Sequence, residues 1–309
     1  MSEHTLRAAL ADYLAVRRAL GFKLARDGLL LEQFAGFCER AGASRLTSEV
    51  ALAWVTAPAG ASPGWLSMRL TVVRGFARWL QARDPATEVP PTGWLPARRR
   101  AVPYLYSAAD VAALMAAARR LRHPLSAATY ATLVGLLICT GVRIGEALRL
   151  DRADVSSAEG LLTIRDSKLG KSRQVPIHPS TVAALRRYAR RRDRLSPAPG
   201  EPAFFVQPGG SRLSYANAQR TFRCLVGRAG LTPGSQHRSP TIHGLRHSFA
   251  VNTLVGWYRA GVDVQARLPL LSTWLGHADP RWTYWYLSAC PELLTLAAER
   301  LDATLGRLP

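Results

Sequence analysis

Between His243 and Tyr286 the chain reads His243-Gly-Leu-Arg246-His247-Ser-Phe-Ala and, later, Leu275-Gly276-His277-Ala-Asp-Pro-Arg-Trp-Thr-Tyr284-Trp-Tyr286. If the first run is helical, His243 and Arg246 lie three residues apart on one face. An imidazole can move a proton, and a guanidinium can neutralise charge through a forked set of donors. Side by side they suit a phosphate. His277 follows a Leu-Gly turn, and Tyr284 and Tyr286 come soon after as candidate hydroxyl nucleophiles. Such a set can carry out phosphoryl transfer without a metal, provided the chain adds a second arginine and an acid.

Both are present upstream. Arg143 follows Thr140-Gly141 at an expected helix start, where free backbone amides favour an anion. Glu146 lies one turn further on and can hold the guanidinium in place. Lys168 sits at the tip of Ser167-Lys168-Leu-Gly-Lys171-Ser172, a turn between two alternating runs. Only Lys23, Lys168 and Lys171 are lysines among 41 basic residues. A lysine can give up a proton near neutral pH when its surroundings help, and an arginine cannot, so Lys168 fits a general acid. Lys171 and Arg173 are further candidates for contact with a phosphate backbone.

These residues need elements to position them. Residues 4 to about 82 read as all-helical, from apolar spacing in Leu6, Leu10, Tyr13, Leu14 and in Leu29, Leu30, Phe34, Phe37. A fourth helix, from Trp65 to Gln81, carries Arg69, Arg74 and Arg78 as candidate nucleic-acid contacts. Residues 83 to 103 are proline-rich and read as a stiff, extended linker containing Arg98-Arg99-Arg100, three more candidate phosphate contacts. Ser107-Ala-Ala-Asp110 is the pattern of a capping box opening a helix through Arg119. A buried helix follows from about Ser126 to Cys139. Leu161 to Arg165 and Arg173 to Ile177 alternate as a short antiparallel pair. Helices are expected over Thr181 to Arg194 and Tyr215 to Arg228. The domains then run 1–97, with 98–103 as the end of the linker, and 104–309.

With 309 residues, 48% of them hydrophobic, the chain has length for two cored domains. A formal charge of +20 and a pI near 11.1 predict a polyanionic partner. The longest apolar run, Ala127 to Cys139, is too short for a bilayer. The N-terminus, with Glu3 and Asp12, lacks a signal-peptide pattern, so no membrane role and a cytoplasmic location are expected. Cys38, Cys139, Cys224 and Cys290 are scattered without metal-type spacing and read as reduced structural thiols.

Thr-Gly-x-Arg-x-x-Glu, a hairpin lysine, His-x-x-Arg-His, Leu-Gly-His and a tyrosine nine residues beyond that histidine occur in this order. Over about residues 104 to 309 the set resembles the tyrosine recombinase (phage integrase) family. The N-terminal part resembles, more loosely, that family's SAM-like core-binding domain. The resemblance implies a mostly α (α+β) fold: a helical DNA-binding domain, then a mainly helical catalytic domain with a small antiparallel β-sheet. It implies that Arg143 and Arg246 clamp the scissile phosphate and that Tyr286 is the nucleophile, with Tyr284 its rival. Lys168 protonates the leaving 5′ oxygen, His243 handles a proton, and His277 hydrogen-bonds the phosphate. His247 reads as structural, and Trp282 and Trp285 as packing residues.

The same resemblance implies no cofactor and no metal. The partner is double-stranded DNA with specific sites, bound by a homotetramer on synapsed duplexes, with or without partner recombinases. The amphipathic tail, Pro291 to Leu305, either docks on a neighbouring protomer or packs on its own domain. Glycine at position 244, where many relatives carry an acidic or polar residue, is one departure. The length between His243 and His277 is another, and suggests a transposon-borne or other mobile-element recombinase serving DNA integration. An Xer-like chromosome or plasmid resolution recombinase and a type IB topoisomerase-like activity are the alternatives.

Overall fold

The computed structural model describes residues 6–95, 103–165, 172–197, 200–232, 239–277, 279–288 and 291–305. The chain divides into two compact units, Met1–Arg100 and Ala101–Pro309.

The first unit contains α1 (Leu6–Ala19), α2 (Ala25–Arg40), α3 (Ser48–Thr56) and α4 (Pro63–Gln81). Local chemistry sets their starts. Thr47 and Ser62 accept the amides of Val50 and Trp65 as N-caps, and Pro63 occupies the first turn of α4. Leu6, Leu10, Tyr13 and Leu14 face the core as their spacing requires. On α2 the apolar stripe is Leu30, Leu31, Phe34 and Cys38; Leu29 is 66% exposed, against expectation. Phe76 stacks with Trp79, and Tyr13 closes the cluster at 5.5 Å from each ring.

This packing corrects two candidate DNA contacts. Arg69 is buried, its Nη2 donating to the Trp54 carbonyl at 2.5 Å while its guanidinium lies 3.6 Å over the Trp54 ring. Arg74 donates to the carbonyls of Pro90 and Pro91 at 2.8 and 2.6 Å. Only Arg78 of the three is exposed. The same bonds correct the linker. Gln81 donates to the Thr87 carbonyl, the Glu88 amide donates to Leu46, and Glu88 accepts from the Ser48 amide. Up to the prolines, then, the segment is fastened to the first unit. Arg98, Arg99 and Arg100 lie outside the described residues.

The second unit opens with α5 (Ala108–Arg119), α6 (Pro124–Thr140) and α7 (Ile144–Arg149). The Ser107–Asp110 capping box starts α5, both of its hydrogen bonds being present. A 3-10 turn, Arg152–Asp154, leads to a three-stranded antiparallel sheet: β1 (Val155–Ser156), β2 (Leu161–Ile164) and β3 (Arg173–Pro176), in that order. Leu162 pairs with Val175 and Ile164 with Arg173, so Leu162, Ile164 and Val175 face the core. Then come α8 (Pro179–Leu195), α9 (Tyr215–Arg228), α10 (Ile242–Arg259) and α11 (Val264–Leu275). Last are α12 (Arg281–Tyr284), a 3-10 turn (Trp285–Ser288) and α13 (Pro291–Leu305). The fold is mostly helical with one small antiparallel sheet, as expected. The tail helix lies on its own unit: Leu293 is buried against α10's cluster, and Arg259 pairs with Glu292 at 2.5 Å. Leu294 and Leu301 remain exposed. Among the described residues no helix is long and apolar enough to cross a membrane.

Candidate active site

The last carbonyls of a helix lack intrahelical donors and form the negative end of its dipole. At the end of α11 three successive carbonyls each receive a different arginine. Arg173 Nε donates to Trp274 at 2.8 Å, Arg246 Nη2 to Leu275 at 2.8 Å, and Arg143 Nη2 to Gly276 at 3.1 Å. Gly276 closes the helix with φ at 66°, and a Cβ there would sit 2.7 Å from Arg173 Nη1. The glycine of Leu-Gly-His is needed for both reasons.

Glu146 ties two of these arginines together. Its Oε1 accepts Arg143 Nη1 at 2.8 Å and Arg173 Nη1 at 3.1 Å; its Oε2 accepts Arg173 Nη2 and the Arg143 amide, each at 2.9 Å. Burial alone would push this carboxyl up, but the Arg173 and Arg143 bonds hold it at about 2. The network corrects two expectations. The amide at the start of α7 is taken by Glu146 rather than left for an outside anion. Arg173 spends its guanidinium on Glu146 and Trp274, so it belongs to the scaffold of the site and not to a DNA-facing edge.

Arg246 projects from the first turns of α10 and is 2% exposed. It donates to Gly141 O at 2.7 Å, to Leu275 O, and to His277 Nε2 at 2.9 Å. Burial first, and Arg143 second, push it down to about 10, so it stays cationic at neutral pH. A guanidinium can only donate. His277 therefore accepts at Nε2 and carries its proton at Nδ1, which faces the buried Thr283 hydroxyl at 2.8 Å. Burial, followed by Arg246, Arg143, Arg173 and His243, lowers His277 to about 4. His243 is also lowered to about 4, by the protein packed around its ring, then by Arg246 and Arg143, although the residue as a whole is exposed and the two arginines are the firmer cause. Both imidazoles are neutral at pH 7.

Tyr286 is 3% exposed, its ring stacked 6.2 Å from His277 at an interplanar angle of 15°. It couples electrostatically to Arg246. Tyr284 is 53% exposed. Of the two tyrosines, Tyr286 alone lies against the histidine and arginine. His247 packs edge-on to His243 at 4.6 Å and touches Trp285 and Tyr286, the structural place expected of it. Trp285 packs as expected, but Trp282 is 56% exposed, because the short α12 turns it outward. Lys168 and Lys171 lie outside the described residues.

Gly244 has a steric reason. A Cβ there would stand 2.9 Å from Tyr106 Cε2 and 3.1 Å from the Tyr104 carbonyl. The segment ahead of α5 is laid across the start of α10: the Tyr106 amide donates to Ser248 Oγ at 2.7 Å and its hydroxyl to Thr241 O at 2.9 Å. Sequence reasoning missed this strap, Thr283 and the Trp274 indole, which donates to Thr140 O at 2.7 Å. None carries a local signal, except that a glycine inside a helical pattern hints at close backbone approach.

Arg143, Arg246, His277 and Tyr286 thus meet at the end of α11, with His243 near enough to both arginines to be lowered by them, a grouping of cations, neutral imidazoles and a phenol. Residues 105–292 match the model of the phage integrase family. The chain is 44% identical over 305 residues to an integrase/recombinase of Sinorhizobium fredii, y4rB, covering 96% of this chain and 97% of that one. In structure it is similar to the Tn1549 transposon integrase bound to transposon right-end DNA (TM-score 0.70, 14% identity, 97% and 99% covered). It is also similar to a lambda integrase tetramer on a Holliday junction (TM-score 0.64, 16% identity, 91% and 77% covered). The chain thus belongs to the phage integrase family, and is a tyrosine-type site-specific DNA recombinase.

Proposed function

We propose that this recombinase cuts duplex DNA by attack of the Tyr286 oxygen on a backbone phosphorus, forming a 3′-phosphotyrosine and releasing a 5′ hydroxyl. The phenolic O–P bond forms as the P–O5′ bond breaks. His243 takes up the phenol proton, and Lys168 gives one to the departing oxygen. A phenol near pKa 10 is a weak nucleophile at pH 7, and Arg246, coupled to Tyr286, favours its anion. Arg143 and Arg246 hold the non-bridging oxygens and offset the charge of the five-coordinate phosphorus. His277 donates to the phosphate only after gaining a proton at Nε2, which an approaching anion favours. The ester conserves the bond energy, so the reverse attack by a 5′ hydroxyl needs no ATP. The observation carrying this reading is the convergence of Arg143, Arg246, His277 and Tyr286 at the end of α11.

The partner on this reading is double-stranded DNA with specific sites, gripped by the helical domain, residues 1–97, and the catalytic domain, residues 104–309. Arg78 is the helical domain's open candidate contact. Four protomers on two synapsed duplexes would exchange strands in the bacterial cytoplasm. The length between His243 and His277 favours a mobile-element role. The test is a nicked suicide duplex carrying inverted repeats from DNA flanking the gene, incubated with the protein in chelator. A covalent adduct lost in Tyr286→Phe is expected. An adduct that survives Tyr286→Phe overturns the assignment.

A further inference from the structure

Five arginines of α8 (Arg186, Arg187, Arg190, Arg191 and Arg194) are exposed. At 100° per residue they fall within an arc of about 140° on one side of the helix. The remaining arginine, Arg192, is buried and donates to the carbonyls of Ala203 and Phe204. The one acid on the helix, Asp193, is taken by Arg192 at 2.7 Å and by Arg152 at 2.9 Å. Among the described residues none of the five exposed guanidiniums makes an ion pair or a hydrogen bond. They crowd one another instead: Arg186, Arg190 and Arg194 are successive i,i+4 neighbours, and so are Arg187 and Arg191. Like charges at that spacing weaken a helix. Some arginines elsewhere on the second unit have carboxylate partners, as Arg165 has Asp154 and Arg259 has Glu292, but no acid on α8 is free to relieve these five. An unrelieved row of this kind is stabilised by an outside polyanion.

We infer that the exposed arginine ridge of α8 is a second DNA-binding surface, contacting duplex backbone phosphates away from the Arg143–Arg246 site and without base recognition. From Arg186 to Arg194 the ridge runs about 12 Å. Duplex DNA carries one negative charge per about 1.7 Å of axis, so phosphates are dense enough to meet every member. Guanidinium forks match phosphate oxygens. Ala183 and Ala184 lie on the same side, and the helix's one aromatic, Tyr188, is buried, so the ridge offers a protein partner no aromatic anchor beside its charges. The α8 guanidiniums take no part in the cluster at the end of α11.

The inference rests on the chain acting on DNA, and the test separates the two. The probe is a random-sequence 60-bp duplex, with binding of the full chain followed from about 0.05 to 0.3 M salt. The variant is R186Q/R190Q/R194Q, compared with R152Q as a nearby charge change off the ridge. The triple variant's log–log salt slope should be shallower by about 2 to 3 than that of the unsubstituted protein, with R152Q near the parent. Its melting temperature should be equal or higher, because i,i+4 repulsion is removed. A slope unchanged in the triple variant overturns the ridge while leaving the recombinase reading intact. Tighter binding to poly-glutamate than to the duplex, with the same dependence on the three arginines, also overturns it in favour of an acidic protein partner. Failure of the unsubstituted protein to bind any duplex would instead sink the DNA reading itself.

Discussion

Glu146→Gln is the sharpest perturbation the site offers. The carboxylate side chain is 2% exposed and joins Arg143 to Arg173. An amide of the same size removes the negative charge and turns an NH2 group towards two guanidiniums that can only donate. Two routes give the magnitude. Removing one member of a buried charged set costs roughly 3–5 kcal/mol. Independently, holding the carboxyl at about 2 against an ordinary 4.5 corresponds to ~3 kcal/mol of stabilisation at neutral pH. The two agree. Urea unfolding of the full chain at pH 7, followed by tryptophan fluorescence, should show a loss of about 3 kcal/mol. The acid limb adds a signature. A depressed carboxylate stabilises fully above about 4.5, and that contribution is lost as pH falls through about 2. The variant should therefore lose stability less steeply than the parent below pH 4.5. A loss under ~1 kcal/mol at pH 7 with an unchanged acid limb would refute the view that Glu146 organises the arginines.

His243 and His277, both lowered to about 4, stabilise the fold above about 6.5 and lose that contribution as pH falls through about 4; unfolding midpoints should decline over this window, less so in His277→Gln. Thr283→Val keeps the shape but removes the partner of His277 Nδ1; adduct formation on a suicide duplex should slow by about tenfold while stability falls by only ~1 kcal/mol. An adduct rate at the parent level despite that stability loss would mean that Thr283 is merely a packing residue. Gly244→Ala should lower stability by ~1–3 kcal/mol by overpacking against Tyr106 and Tyr104, and an unchanged melting temperature would show that the strap gives way freely. Tyr284→Phe, at an exposed position, should leave adduct formation at the parent level.

Much of the fold was legible because its signals are local. The Ser107–Asp110 capping box is read within four residues of chain, and the structure contains it. Arg143, His243, Arg246 and His277 were legible as residue types suited to a phosphate, whereas Tyr286 was set apart from Tyr284 by the resemblance of the motif order and spacing to the phage integrase family. The failures share another cause. Arg69, Arg74 and Arg173 announce a charge, but their partners are carbonyls of Trp54, Pro90, Pro91 and Trp274 or the carboxylate of Glu146, brought near only by tertiary packing. An arginine's long stem lets it reach inward as readily as outward. Strand β1 has two residues and no alternation to read. Leu29 and Leu31 are both apolar, and which of them is buried depends on how α2 rolls against α1 and α4.

The end of α11 has one more consequence. Its last three carbonyls are pinned by arginines from α7's start, from β3 and from α10, so His277 is located by contacts outside the segment that delivers it. Changes of length confined to the turn between α10 and α11, Ala260 to Asp263, should therefore leave the histidine in place, whereas changes between Gly276 and Thr283 would displace its hydrogen-bond partner.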